Sequence, residues 1–473
     1  MPPKHRQSGG FLDSIEEGIK QYWPWLLVTI AVFLIFKYDL EYGIVRFILP
    51  LVSIIVLGRL AWIMWVHYIQ QDFISGIDFV LLEIIPPREV LRSPKAMELF
   101  FTNALYQWSL KGGKEEYWQG AVWFWFSLEI ASFDGQVHFY IRTPTRIRGL
   151  IETQMYAQYP QAQVKAVEDY TLGVPEITAE SEWNGWGCEF KLIKPEAYPL
   201  KTYIDFGLDK DPKEEYKVDP VSAVIELFGS LEKGEQMWSQ IVITPSKKTY
   251  RTKGTWFGKH DWVEESRSVL KSLLEPYTRH FLPSEGELSA TRAVYTPSYL
   301  QNTIEAMSHK TALIGFDCGV RVMYLAKKEL MPVGTRTNHS RNIRLMWRQY
   351  AKPDCNGLIR FNATQGDFYS GVFTASPKTV LMLANRMLNE YRERAFFHLP
   401  LRHHIFSQHT WRWPIPGIVS LDDYIKAYAH HETFVLNVEE LATMWHFPGQ
   451  IMRVPTLERI ESKEASPPTN LPT

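Results

Sequence analysis

Three stretches hold residue types that could do chemistry. Gly254-Thr255-Trp256-Phe257-Gly258-Lys259-His260 places a lysine behind two glycines, the ingredients of a phosphate-cradling loop. It has one residue too few between the glycines, and His260 stands where a Ser or Thr hydroxyl would hold the metal. A glycine-containing turn is the plainer reading. Gly315-Phe316-Asp317-Cys318-Gly319 has the outline of a nucleophile elbow, but the residue midway between the glycines is Asp317, and Cys318 reads as a core thiol. His398, His403, His404 and His409 could bind a metal, yet none has Cys or carboxylate partners at a recognised spacing and HExxH is absent. No catalytic, cofactor or metal constellation is expected, and the chain reads as a non-enzyme.

Two basic patterns suggest contact rather than catalysis. Residues 397–413, FHLPLRHHIFSQHTWRW, interleave Arg402 and Arg412 with Trp411 and Trp413, an arrangement that can stack single-stranded bases. In RNIRLMWRQY, Arg341, Arg344 and Arg348 recur at helical spacing and read first as a solvated face. The net charge of −1 supplies no global field for nucleic acid, so any such contact must be local.

Apolar runs at residues 22–36 and 47–66 precede the rest. The second is about 20 residues long, roughly what a 30 Å hydrocarbon core requires. Interface-seeking rings flank both: Trp23 and Trp25 on the first, Trp62 and Trp65 on the second. Arg59 lies late enough in the second run to snorkel. Lys37, Tyr38 and Asp39 follow the first run where a cleaved leader would have small residues. The expectation is a cytoplasmic tail at 1–21 and a transmembrane hairpin at 22–70. The positive residues Lys4, Arg6 and Lys20 before it, and Arg88, Arg92 and Lys95 after it, put both ends in the cytoplasm. That gives a multi-pass protein of the inner (plasma) membrane with a cytoplasmic body.

Behind the hairpin, DFVLLEII (78–85) reads as a strand closed by Pro86-Pro87, and Ser93-Pro94 opens a helix. Residues 123–130 and 136–143 read as strands joined at Asp134-Gly135, residues 146–159 as a helix and 162–167 as a last strand. This β-α-β-β-α-β order predicts a ferredoxin-like domain at 73–170, with Phe100, Leu105, Phe139 and Ile151 in its core. A second, larger α+β domain is expected at 171–455. It has strands at 185–193 and 236–244, helices at 221–231, 262–274, 298–308 and 337–350, and a long strand or hairpin at 312–326. Residues 352–416 read as loop-rich and 456–473 as a flexible Pro-rich tail. Cys188, Cys318 and Cys355 are odd in number and widely spaced, which suits buried thiols in a reducing compartment.

FVLLEIIPP, SPKAMELFFTNAL, FYIRTPTRIRGLIETQMYAQYPQAQV and, above all, LNVEELATMWHFPGQIMRVPTLERIESKEASPPTNLP resemble the membrane-proximal N-terminal region of bacterial conjugation and type IV secretion ATPases of the VirB4/TraG/HerA-like class. The resemblance spans about residues 79–472. In fused relatives a P-loop motor follows the equivalent of Asn470-Leu471-Pro472, whereas this sequence stops at Thr473. The resemblance therefore implies a homo-oligomeric scaffold without an engine, docking a separate VirB4/HerA-like ATPase. Glu439, Glu440, Leu441, His446, Phe447, Pro448 and Gly449 form the expected docking segment, the two acids facing a basic partner; a helix that only closes the second domain is an equal reading of the same residues. A membrane-anchored adaptor for single-stranded DNA is the alternative.

The defective glycine loop makes a first prediction. The purified chain should neither bind nor turn over ATP, and Lys259→Ala should leave its function intact; an ATPase activity abolished by that change would overturn the reading.

Overall fold

Branched and aromatic residues fill the strands, and the turns between them decide which strands pair. The computed structural model describes residues 43–87, 90, 92–106, 112–210, 218–246, 250–251, 259–279, 297–335, 337–364, 377–394, 396–397 and 433–449. Helix α1 (Gly43–Ser75) is followed, after three intervening residues, by β1 (Phe79–Ile85). Helix α2 (Lys95–Phe100) continues as a π-helical turn, Phe101–Leu105, and α3 (Gly113–Trp118) precedes the hairpin of β2 (Phe126–Phe133) and β3 (Gln136–Pro144). At the hairpin tip Asp134 and Gly135 both have positive φ, 52° and 86°. This is the type I′ geometry whose twist matches the flanking strands. A Cβ on Gly135 would also come within 2.8 Å of the Leu231 carbonyl. Helix α4 (Arg148–Gln158) and β4 (Gln163–Val167) complete the first stretch.

The second stretch opens with β5 (Trp183–Leu192), α5 (Pro220–Gly229) and β6 (Glu235–Pro245). Asp219 caps α5 by accepting from the Val221 N–H, and Pro220 takes the first helical position, where its missing N–H costs nothing. A two-residue pair, β7 (Tyr250–Arg251) and β8 (Lys259–His260), is followed by α6 (Trp262–Arg279), α7 (Ser298–Ala312) and β9 (Gly315–Lys327). Next come α8 (Asn338–Asn342), β10 (Leu358–Phe361), α9 (Pro377–Glu393), β11 (Phe434–Asn437) and α10 (Val438–Met444). The chain divides into two compact units, Met1–Ile69 with Thr249–Asp261, and Gln70–Lys248 with Trp262–Thr473.

The fold is α+β around a nine-stranded sheet in the order β10-β5-β9-β6-β2-β3-β1-β4, every pairing antiparallel, with β11 also on β9. The stretches 73–170 and 171–455, expected as successive domains, instead contribute to one sheet, joined where β2 pairs β6 from Phe126↔Ile243 to Phe133↔Gln236. Four strands on each side of that seam follow mirrored orders. Residues 312–326 hold one strand, not a hairpin, and the helix expected at 337–350 breaks into α8 and the 3-10 turns Ile343–Leu345 and Arg348–Tyr350. The stretch 352–416, expected as loops, contains β10 and α9.

Both faces of the sheet are covered. On one face lie Leu82, Leu128, Phe139, Ile141, Ile241, Val320 and Val322, under α2, α4, α5 and α10. Phe100, Leu105, Phe139 and Ile151 are fully buried in this one cluster. On the other face Trp238, Met323 and Leu325 meet Ala384, Met387, Leu388 and Tyr391 of α9.

Register places a polar row beneath α9: Glu189, Arg321, Gln240, Glu129 and Tyr140 are successive cross-strand partners on β5, β9, β6, β2 and β3. Arg321 Nη2 donates to Glu189 Oε1 at 2.6 Å, and its guanidinium lies 4.3 Å over the Phe396 ring. Arg394, one residue beyond the α9 end, has φ +53° and is 1% exposed. Its Nε donates to Glu129 Oε1 at 2.9 Å and its Nη2 to Asp169 Oδ1 at 3.2 Å. Tyr170 donates to Glu129 Oε2 at 2.7 Å.

Phe100→Ala and Phe139→Ala should each cost about 3–5 kcal/mol in denaturant unfolding, because the surrounding elements cannot collapse into the cavity. Losses under about 1 kcal/mol would place the core elsewhere. Arg394→Ala strands the buried Glu129 carboxylate and should cost about 3–5 kcal/mol.

Candidate functional site

Two groups of nominated residues fall within the described part of the chain: the apolar helix and the segment around α10. In α1 the stretch Pro50–Ser75 is long and apolar enough to cross a membrane. Ile54 is 67% exposed and Leu57 63%, so this is not a core helix of the body. Arg59, Trp62 and Trp65 follow at three-residue spacing on neighbouring turns, and Trp65 meets Tyr68 at 6.4 Å between ring centroids. The first apolar run, with Trp23 and Trp25, lies outside the described residues, as do Arg402, Trp411, Arg412, Trp413 and the histidines at 398, 403, 404 and 409.

The last turn of α1 belongs to the sheet body. Phe73 and Ile74 pack against a cluster of Val122, Trp125, Val242 and Phe396, and Phe79 meets Trp125 at 5.2 Å.

At the other end of the chain, Asn437 and Glu440 form a reciprocal capping box. The Glu440 N–H donates to Asn437 Oδ1 at 2.7 Å, and the Asn437 N–H donates to Glu440 Oε2 at 2.8 Å. The same carboxylate accepts from the Leu200 N–H at 2.6 Å and from Lys310 Nζ at 3.2 Å. Glu440 and Lys310 are both fully buried. Lys310 donates in addition to the Val435 carbonyl at 3.1 Å. Glu439, 4% exposed, pairs with His309 Nε2 at 2.8 Å.

The expectation that Glu439 and Glu440 face a basic partner is therefore corrected: their charges are spent inside the body. Leu441 and Phe447 are core residues, Phe447 meeting Phe139 at 5.3 Å and Tyr159 at 5.0 Å. Pro448 is buried and Gly449 partly so.

His446 is 2% exposed between two acceptors, the Ala442 carbonyl at 2.8 Å from Nδ1 and Asp219 Oδ1 at 3.1 Å from Nε2. Its two ring nitrogens thus face one acceptor each. Burial pushes the Asp219 carboxyl up. The His446 charge and hydrogen bond, with the Val221 and Gly449 N–H groups, outweigh burial and hold it below the usual carboxylate range.

The remaining motifs are strand residues. Asp317 accepts from Ser246 Oγ at 3.0 Å. Cys318 lies fully buried in the core of β9, its thiol pushed up by burial and then by Asp317, and Gly319 leaves room for the Phe396 ring. Cys188 and Cys355 are also buried free thiols. Arg341, Arg344 and Arg348 are exposed. Of the defective glycine loop only Lys259 and His260 are described, in β8. Among the described residues no three His, Cys, Asp or Glu side chains come together as metal ligands.

Sequence reasoning missed the ion network under α9. Its legible signals were the helical recurrence of Val380, Leu383, Ala384, Met387, Leu388 and Tyr391 behind Pro377, and charged residues in the middle of apolar strands. No family model, curated protein or solved structure matches the chain.

Glu440→Gln leaves Lys310 buried without a counter-charge and should cost about 3–5 kcal/mol of stability. A docking role would instead lose partner binding at unchanged stability.

The depressed Asp219 value has a sign. A folded pKa below the unfolded one contributes stability that is present above the unfolded value, near 3.8, and is lost as pH falls through the folded value. Acid unfolding of Asp219→Asn should therefore be shallower than that of the native chain below about pH 4; equal slopes would show that the Asp219–His446 contact carries no such pH dependence.

Proposed function

We propose that this chain is a membrane-anchored, non-catalytic scaffold of a type IV secretion or conjugation-like translocation apparatus. It acts as a homo-oligomer on which a separate P-loop ATPase docks at the cytoplasmic face of the inner membrane. The observation that carries the anchoring is the exposed apolar helix, whose last turn is packed into the sheet body through Phe73 and Ile74. The translocation setting comes from the sequence resemblance over residues 79–472.

The architecture fits a load-bearing plate. We read the order β4-β1-β3-β2, with α2 and α4 as its crossovers, as a ferredoxin-like unit. The mirrored order β10-β5-β9-β6, with α5 and the α8 region, is read as a second copy fused edge to edge with the first. That fusion pairs β2 with β6 and leaves no open edge at the seam. Since α10 is internal, the ATPase must dock on another part of the surface, and Arg341, Arg344 and Arg348 offer three exposed basic side chains to an acidic partner.

Two measurements test the proposal. The full chain should resist alkaline carbonate extraction from membranes, while deletion of residues 1–71 should leave a soluble fragment; release of the intact chain by carbonate would end the anchoring reading. Affinity purification from native membranes of the producing cell should bring down a P-loop ATPase, and reversing the charges of Arg341, Arg344 and Arg348 should release it most clearly at low salt. Intact membrane complexes without any nucleotide hydrolase would reject the scaffold role.

A further inference from the structure

The segment ahead of β2 carries more exposed aromatic surface than its position in a soluble body needs. In α3 Tyr117 is 40% exposed and Trp118 64%, and Trp123 and Phe124 are only partly buried. Val122 and Trp125, on either side of Trp123 and Phe124, turn inward and join the cluster that holds Phe73 and Ile74. The short helix is pinned against this approach, because the Ala121 N–H donates to the Glu115 carbonyl at 2.9 Å. Glu115 turns its carboxylate back on the helix start, accepting from the Gly112 N–H at 3.3 Å. The exposed Arg146 sets its guanidinium 4.9 Å over the Phe124 ring.

Two chain lengths bear on this surface. Trp65 precedes Phe73 by eight residues, about 12 Å along one helix. Trp118 precedes Val122 by four, at most about 14 Å of extended chain. Rings of the Trp and Tyr type are enriched at headgroup level, where an apolar body and a polar tip both find their medium, and an arginine beside them suits the lipid phosphates.

We infer that α3 and the approach to β2 form a second membrane contact, in which Tyr117, Trp118 and Phe124 lie in the headgroup layer beside the end of α1 and Arg146 meets lipid phosphate. This inference rests on the anchoring reading above. The occupant is the bilayer surface: the patch is continuous with the packing site of the apolar helix, and its residue types are those of an interfacial belt.

The test uses the full chain in phosphatidylcholine and phosphatidylglycerol vesicles. A single fluorescent NBD label goes on Trp118→Cys, Trp62→Cys or Lys233→Cys, with the unlabelled wild type as blank, because Cys188, Cys318 and Cys355 are buried. Lys233 sits beside Gly234, which bonds Asp134 at the hairpin tip. That tip is the far end of β2 from Trp125, about 26 Å away over eight residues.

The expected result is lipid quenching at 118, stronger from a spin label near the headgroup than from one deep in the chain, quenching at 62, and none at 233. Quenching at 62 with a water-exposed probe at 118 overturns the inference and leaves the anchor standing. An unquenched probe at 62 removes the anchor and the inference with it. Quenching at all three positions would mean that the body lies flat on the lipid, which also overturns an oriented contact. Tyr117→Ser combined with Trp118→Ser should lower quenching at a probe on Lys114→Cys without changing that at 62.

Discussion

A charged group taken out of water has to be met by an opposite charge, and the second face of this sheet is organised around two such groups, Arg321 and Arg394. Both guanidiniums are buried, and each is held by carboxylates from more than one element. Arg321, on β9, reaches Glu189 on β5 and Glu390 on α9. Arg394, past the end of α9, reaches Glu129 on β2 and Asp169 ahead of the 3-10 turn Tyr170–Gly173. The pairs therefore cross the seam between β6 and β2 by way of the helix that lies over it. Buried pairs contribute little net stability compared with apolar residues of the same volume, because desolvation offsets the attraction. What they supply here is placement. The apolar stripe of α9 against Trp238 and Met323 would tolerate a shift along the sheet, whereas Glu390 and Arg394 accept one position. The left-handed backbone of Arg394 fits the same reasoning, since a non-glycine residue adopts that conformation at a cost and its guanidinium bonds offset it.

The same constraint explains which parts of the architecture were readable in the sequence. Alternation predicts a strand when one face is wet. Here both faces of the central strands are covered, and β2 is buried at seven of its eight positions. Its start was accordingly placed three residues early, at the Trp-rich approach, because Trp123 to Trp125 have the composition of a strand without its pairing. The Asp134-Gly135 turn was legible because its chemistry is local: two positive φ angles need those residue types. Helix α9 was periodic as well, but its neighbourhood of loop-like residues obscured it, and Arg394 has no local meaning at all. Its partners Glu129 and Asp169 stand more than 200 residues earlier. Joining the two stretches at β2 and β6 is another long-range choice that no window of sequence contains.

The segment around α10 shows the opposite limit, a local signal that was present but fitted a docking surface and a domain-closing helix equally well. Asn437-Val438-Glu439-Glu440 has the spacing of a capping box, which places Glu440 over the helix start whatever surrounds it. Acidic residues are exposed in most proteins, and this prior pointed outward. Lys310, 130 residues earlier on α7, reverses it by bringing a counter-charge into the core. Leu200 and Tyr203 then bond Glu440 and Thr443 through their N–H groups, so α10 is stitched to the stretch after β5 as well as to α7.

The two buried locks hold different elements to the same sheet. The Arg321 and Arg394 network fixes α9 on one face, and the Lys310–Glu440 pair fixes α10 near the other, where Trp445 also donates its indole N–H to the Glu129 carbonyl at 3.4 Å. Glu129 thus serves both layers, with its side chain bonded to Arg394 and its backbone carbonyl to Trp445. It sits on β2, the strand whose approach carries Val122 and Trp125 and through them the last turn of the apolar helix. A displacement of β2 cannot be confined to one layer, because the same residue would have to release a buried guanidinium on one side and an indole on the other. The strand that carries the packing site of Phe73 and Ile74 is thereby tied to both covering layers.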